Sequence, residues 1–476
     1  MSLDFDGDVP ALGHWWIAGD RDTTLPGVLS RESTYYRLVV DGNLRGSLTK
    51  QPDRRFTIHG VSLGKAYTLF DAVVVGGRGG PRRYMIDPPD DFPATAQQDW
   101  ATSTIVVGGH LDPSETFKEC RALNSGAEHV WHRRVLTTEE FADDSPMEEC
   151  SVAKHEEFEV RLVRWPTISM GRLDIAASSR LKFNVAAVEG MTLGEIDRRI
   201  LYPLNLLVGV LENRATRMWG QQLFRTTWDE GDPSRFPAEL QVNPDVKHPK
   251  VDFVIPLLSA DDGAQFEEVA SRWLMNAQRL SSVMGVVAPH PHVEGYIQSE
   301  VFQTVGAVEE LDRAIRPSDG APGENLERIL AALRSFLREQ QDTLGLNSRG
   351  RAKLVNLVRN SARPTLQQRL ERVGQDVGDL GDWLLNGQID DWALVASSIR
   401  NEIGHGLHRY RWAYNDWDLL KRVRESAEAI ARSRLLTLCG MPLHLVTERC
   451  MSDWYYRAIH DNAIDWREYA IRLDLA

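Results

Sequence analysis

The sequence predicts an α+β multidomain protein, a β-rich N-terminal region followed by an all-helical C-terminal bundle. With 476 residues, the chain is too long for one compact core. Its first third carries short runs of β-branched and aromatic residues separated by turn residues, and after residue 291 apolar residues recur every three or four positions. We therefore expect a β-rich domain over 1–190, a mixed helix and strand connecting region over 191–290, and a helical bundle over 291–476.

The strands are predicted from apolar runs bounded by glycine, proline, asparagine and aspartate. They cover 35–40, 56–61, 67–75, 104–107, 158–163, 180–188, 239–242 and 251–256. The aromatic pair Trp15 and Trp16 could stack nucleic-acid bases, but a place in the core of the β-domain is the better expectation.

The helices are predicted from apolar stripes with helical spacing. They cover 192–212, 265–284, 301–315, 325–342, 348–360 and 389–405, with Pro364 in the first turn of another and Asp416 capping a long helix that Gly440 ends. The short connections between the last of these helices favour an antiparallel bundle.

The chain carries a net charge of −13, which argues against bulk attraction to nucleic acid, but the charge is unevenly distributed. Residues 349–372 hold seven basic residues and one acidic residue, whereas 139–159 hold nine acidic residues and one lysine. The basic segment is either a solvated helix face or a site for an RNA backbone, in which case Arg359 and Arg363 are the RNA-binding candidates. Alternatively, the acidic segment pairs with these arginines and occupies the RNA site at rest.

Other features narrow the cellular setting. There is no apolar run of about 20 residues and no signal-peptide pattern, and the four cysteines match neither a disulfide framework nor a zinc ribbon. We therefore expect a cytoplasmic protein with no membrane partner. The histidine pairs at 129/132 and 290/292 have no third ligand at suitable spacing, so neither a metal site nor a cofactor is expected.

One short stretch combines residues suited to acid–base chemistry on a phosphate. It reads Arg400-Asn401-Glu402-Ile403-Gly404-His405, at the predicted end of a helix. Asn401 lies four residues before His405 and therefore on the same helical face, where it could orient the imidazole, and Glu402 could do the same. Histidine suits proton transfer near neutral pH, and arginine offers a cationic fork for phosphoryl oxygens. A helix end with a capping histidine and a solvated arginine is the non-functional alternative.

Residues near this stretch are weaker candidates. Arg409 and Arg411 follow it directly and could hold RNA phosphates. Glu309 and Glu310, on the first helix of the bundle, could face the same groove but are assigned no role.

The stretch from Arg400 to His405 resembles the Arg-x4-6-His signature of HEPN-domain ribonucleases, including the polar residue after the arginine. The N-terminal Gly13-His14-Trp15-Trp16 and Leu25-Pro26-Gly27-Val28-Leu29 resemble the opening of ApeA-type anti-phage proteins, which join a β-rich domain to a C-terminal HEPN domain. The resemblance implies that Arg400, Asn401 and His405 are catalytic.

The resemblance further implies a metal-independent endoribonuclease that defends against phage by abortive infection. It would act on RNA, with tRNA as one candidate, as a homodimer joined through the HEPN domain, and a phage-derived activator is a further expected partner. The alternative is a non-catalytic HEPN module that binds nucleotides or RNA or serves as a scaffold, with a β-domain that recognises a phage factor.

Overall fold

The computed structural model confirms the α+β fold class, with strands in the first part of the chain and, among the described residues, only helices from residue 264 onward. The chain forms two compact units, Met1–Leu274 and Met275–Ala476, so residues 191–274 belong to the β-rich unit. The structure describes residues 10–32, 35–44, 55–78, 97–102, 104–130, 147–170, 175–225, 238–242, 256–259, 262–289, 296–317, 324–361, 363–406 and 411–474.

The strands of the first unit pair antiparallel in a single sheet. Among the described residues they are β1 Ala11–Ile17, β2 Leu25–Arg31, β3 Tyr36–Asp41, β4 Phe56–Ser62, β5 Lys65–Arg78, β6 Gln97–Thr102, β7 Thr104–Val107, β8 Thr116–Asn124, β9 Met147–Lys154, β10 Phe158–Met170, β11 Ile175–Thr192, β12 Met218–Arg225 and β13 Ala238–Val242. The sheet order is β4-β1-β2-β3-β6-β5-β7-β13-β12-β8-β11-β10-β9. Because β4 also pairs with β5, the first six strands in this order close into a ring, from which the other seven extend.

The interior of the ring is apolar and centres on Trp15, whose side chain is fully buried. Its indole N–H donates to the Gly27 carbonyl at 3.2 Å. A Cβ on Gly60 would lie 2.1 Å from the Trp15 ring, so β4 approaches the indole this closely only because position 60 is glycine. Trp16 is also buried, and the core expectation for this pair is confirmed.

Helices of the first unit lie between and after the strands. They are α1 Ala127–Val130, α2 Leu193–Ile196 and α3 Tyr202–Glu212, with a π-helical turn Asp197–Leu201 joining the last two, and α4 Ala264–Val287, within which the boundary between the units falls. The helix predicted over 192–212 is therefore confirmed, and Thr192 caps its start. The strand predicted over 251–256 lies outside the described residues except at Pro256.

The second unit is a helical bundle. Its described helices are α5 Ile297–Ile315, α6 Glu324–Glu339, α7 Gln341–Leu344, α8 Ser348–Ser361, α9 Leu366–Asp376, α10 Asp379–Leu384, α11 Ile389–His405, α12 Arg411–Tyr414, α13 Trp417–Leu438, α14 Leu443–Ser452, α15 Trp454–Asp461 and α16 Trp466–Asp474. Helix α5 packs against α9, α11 and α13 through its predicted apolar stripe. None of the described helices is long and apolar enough to cross a membrane.

The predicted helix bounds hold closely, with two differences. Thr365 caps α9 by accepting a hydrogen bond from the Gln368 backbone N–H, so Pro364 precedes the first turn instead of lying in it. The helix predicted over 325–342 ends at Glu339, and a separate short helix, α7, follows.

A buried ionic cluster joins α5 to α9. Asp312 is fully buried and accepts from Arg316 at 2.7 Å, Arg369 at 3.0 Å and Arg372 at 2.8 Å. A buried carboxylate requires such charged partners to offset its lost hydration. Two arginines of the basic segment 349–372 are therefore paired with a buried carboxylate of the bundle.

Candidate active site

The Arg400–His405 stretch forms the last turn of α11, as its glycines predict. Gly406 adopts a left-handed conformation at φ 57°, and its N–H donates to the Glu402 carbonyl at 3.0 Å, which ends the helix. His405 is thus the final helical residue.

A second glycine brings α11 against α5. A Cβ on Gly404 would lie 2.7 Å from the ring of Phe302, so a larger residue there would have to displace that ring. The same ring supports Arg400, whose guanidinium carbon lies 4.7 Å from the ring centroid, a cation–π distance. The small residue in the motif therefore places the arginine over an aromatic surface.

Arg400 is weakly held by its polar neighbours. Its Nη2 lies 3.8 Å from the Glu309 carboxylate, and its Nη1 lies 3.5 Å from the Asn401 amide oxygen, both long for hydrogen bonds. Its Nε is buried and makes no hydrogen bond to any described residue. A buried donor without a partner costs about 1–3 kcal/mol, so the polar surroundings of this arginine are incompletely satisfied.

Arg400 lines a groove of about 500 Å³, called here the Arg400 groove. Its other lining residues are Ser282, Val286, Phe302, Gln303, Gly306, Ala307, Glu309, Glu310 and Arg313. Four of them, at 302, 306, 309 and 313, recur every three or four residues on one face of α5. Phe302 and Arg313 lie outside the apolar stripe that predicts this helix, although their spacing on the face beside the stripe could have indicated them from the sequence.

His405 lies apart from the Arg400 groove. The residue is exposed at the end of α11 and does not line the groove. Five helical positions rotate a side chain by about 140° beyond one full turn, so within one chain the imidazole and the guanidinium leave the helix in different directions. A single chain does not bring the two groups together on one surface.

Neither orienting candidate is hydrogen-bonded to the His405 imidazole among the residues that the structure describes. Among the described residues, no hydrogen bond joins Asn401 to the imidazole, and the Asn401 amide oxygen faces Arg400 instead. Glu402 is buried, 4% exposed, and its Oε2 has no hydrogen-bond partner within the described part of the chain. Its carboxylate is buried whereas the His405 side chain is exposed, and no hydrogen bond between the two is found among the described residues.

The remaining candidates lie away from the Arg400 groove or beyond description. Arg363 is exposed just before α9. Arg359 and Arg411 lie in α8 and at the start of α12, but their side chains, like all of Arg409, fall outside what the structure describes. Within the described ranges, no three histidine, cysteine or acidic side chains are grouped as metal ligands would be.

Comparison with known proteins identifies no relative of this chain. No protein-family model, no curated protein and no solved structure matches the chain.

Proposed function

We propose that this protein is an endoribonuclease that cleaves RNA without a metal ion, using Arg400 and His405. The observation that carries the proposal is the state of Arg400: its guanidinium borders an open groove, its nearest carboxylate is 3.8 Å away, and its Nε has no hydrogen-bond partner among the described residues. An arginine so placed is available to bind a phosphate with two parallel hydrogen bonds.

The chemistry requires one proton to leave and another to arrive. A base removes the proton of the 2′-hydroxyl, the 2′-oxygen attacks phosphorus, and the bond from phosphorus to the 5′-oxygen breaks as an acid protonates that oxygen. The products are a 2′,3′-cyclic phosphate and a free 5′-hydroxyl. Imidazole serves as base or acid because its ordinary pKa lies near 6.5, and Arg400 stabilises the charge that develops on the phosphoryl oxygens.

A homodimer through the helical unit is part of the proposal. Since Arg400 and His405 leave α11 in directions about 140° apart, a second chain is the simplest source of a histidine opposite the arginine. Each site of such a dimer would combine Arg400 of one chain with His405 of the other.

The test is cleavage of total RNA by purified protein in EDTA, with end-group analysis of the products. We expect Arg400→Ala and His405→Ala to abolish cleavage with folding intact, Asn401→Ala to reduce it less, and the wild-type products to carry cyclic or 3′-phosphate ends. Full activity of His405→Ala, or activity only with a divalent cation, would contradict the proposal.

The second candidate function is a non-catalytic module that binds RNA or nucleotides, or a scaffold. The exposed His405 favours it, because its imidazole is hydrogen-bonded to neither the Asn401 nor the Glu402 side chain among the described residues. RNA binding that persists in His405→Ala, with no cleavage by the wild-type protein, would support this alternative.

The setting we propose is anti-phage defence in the cytoplasm by abortive infection, with tRNA among the candidate substrates. The β-rich unit would then sense a phage-derived activator. Two observations support this setting: the resemblance of the N-terminal residues 13–16 and 25–29 to ApeA-type anti-phage proteins, and the motif at the end of α11. Comparing RNA cleavage in infected and uninfected cells that express wild-type or His405→Ala protein tests it.

A further inference from the structure

A second groove lies in the hairpin that α6 and α8 form with each other. Its lining includes three arginines, Arg334 and Arg338 from α6 and Arg351 from α8, over a volume of about 370 Å³. We propose that this arginine groove binds the phosphate backbone of single-stranded RNA. The choice of RNA over other polyanions rests on the proposed function, whereas the groove itself is separate from the Arg400 groove.

The hairpin is basic within an acidic protein. Residues 324–363 contain eight basic and four acidic residues, a net charge of +4, whereas the whole chain carries −13. The positive charge therefore does not follow from overall composition. Concentrated positive charge on one element is the electrostatic footprint expected of a polyanion site.

The three groove arginines have little local counter-charge. Arg334 pairs only loosely with Glu327, at 3.9 Å, and its side chain is 42% exposed. Arg351 bonds to the neutral amide of Gln341. Arg338 makes no hydrogen bond or ion pair with a described residue. Within the described part of the chain, only Arg334 of the three has a carboxylate within 4 Å, and an anion between the guanidinium groups would relieve their mutual repulsion.

The geometry fits a chain of phosphates. Arg334 and Arg338 are four residues apart on one face of α6, separated by about 6 Å along the helix axis, and Arg351 faces them from α8. Guanidinium forks bind phosphates with paired hydrogen bonds. Between the arginines, Leu337 and Val355 give the groove an apolar floor against which a sugar or base can pack.

The floor of this groove offers no exposed apolar face to a membrane. Leu337 is 3% exposed and Val355 is 8% exposed, because both belong to the small core that holds the hairpin together with Leu330. Apolar residues at the bottom of a groove cannot insert into a lipid layer as the face of an interfacial helix does. A narrow polymer can enter instead.

The test measures binding of a fluorescein-labelled single-stranded RNA by anisotropy, in a His405→Ala background that prevents cleavage. We expect the pair Arg334→Gln and Arg338→Gln to lower affinity about tenfold and to reduce the salt slope of binding by roughly 1.4, about 0.7 for each lost contact. Glutamine preserves helix propensity, and circular dichroism checks folding. Ala352→Glu, which places a carboxylate in the groove without removing an arginine, should weaken binding similarly.

The matched control is the pair Arg328→Gln and Arg349→Gln, which removes the same charge from the same hairpin outside the groove. An equal loss of RNA affinity in the control pair would overturn the inference, because it would show that RNA is attracted by the overall charge of the hairpin and not by the groove. Unchanged RNA affinity in the groove pair would overturn it as well, whether the groove then binds polyglutamate, anionic vesicles or neither.

Cleavage assays with His405 intact separate this inference from the proposed function. One outcome is that the wild-type protein cleaves no RNA while the Arg334→Gln/Arg338→Gln variant, but not the control variant, loses RNA binding. That result would support the arginine groove and contradict the nuclease proposal. If the wild-type protein cleaves RNA and the groove pair binds RNA like the wild type, only the arginine groove fails.

Discussion

The Arg400 guanidinium of α11 and the Glu309 carboxylate of α5 face each other at 3.8 Å across the wall of the Arg400 groove. Both side chains are partly buried, 24% and 13% exposed, and Glu309 also pairs with Arg313. The carboxylate therefore lies near the place that a substrate phosphate would take on the arginine. Any phosphate that binds Arg400 must compete with Glu309.

Neutralising Glu309 should favour the substrate. We expect Glu309→Gln to raise kcat/KM for RNA cleavage about fivefold, equivalent to about 1 kcal/mol for a partly exposed ion pair. Steady-state kinetics on a labelled RNA would measure it, with most of the change in KM.

The matched control is Glu310→Gln. Glu310 also lines the Arg400 groove, but its carboxylate accepts from Ser282 at 2.7 Å, and Arg400 pairs with Glu309 instead. A similar gain in kcat/KM in both variants would mean that the effect comes from the net charge of the groove. A lower kcat/KM in Glu309→Gln would mean that the carboxylate positions Arg400 for catalysis.

Two inactive variants should restore activity when mixed if the site is shared between chains. Arg400→Ala and His405→Ala subunits, unfolded together and refolded, should regain about a quarter to a half of wild-type cleavage, because mixed dimers hold one intact composite site. Mixing each variant with itself is the control. A wild-type monomer with full activity at micromolar concentration, shown by sedimentation, would rule out the shared site.

Removing the buried carboxylate of Asp312 should destabilise the helical unit. Asp312→Asn removes the carboxylate that Arg316, Arg369 and Arg372 share, although Arg316 also pairs with Asp376, and should lower the free energy of unfolding by about 3–5 kcal/mol. Urea unfolding followed by circular dichroism measures this change. The exposed Asp382→Asn is the control and should change stability little.

Acid should weaken the β-rich unit through His59. Burial, and then the neighbouring His110 ring 5.1 Å away, lower the pKa of His59, while Asp112 raises it to a smaller extent. His59 is therefore protonated at a higher pH in the unfolded chain than in the folded chain. The free energy of unfolding falls as the pH drops below about 6.5 and levels off below the pKa of the folded state. His59→Gln should flatten this dependence in urea titrations, whereas His14→Gln, at an exposed site, should not.

Helix bounds, helix caps and the fold class could be predicted from the sequence, because they depend on residues close to one another along the chain. The bounds of α11 and the cap at Asp416 follow from apolar spacing, glycine and capping side chains within a few positions of each other. The change from strands to helices, and hence the fold class, follows from the same short-range patterns. For the same reason the sequence located the Arg400–His405 stretch on the last turn of a helix.

The side-chain partners of the arginines could not be predicted from the sequence, because they depend on tertiary packing. Arg369 and Arg372, read from the sequence as part of a basic segment, are held by Asp312, 57 and 60 positions away. Arg400 meets Phe302 and Glu309 because α5 packs against α11, and no local pattern contains that pairing. Side-chain partners depend on which distant segments share a core, and that choice is made by the packing of the whole unit rather than by the spacing of residues along one helix.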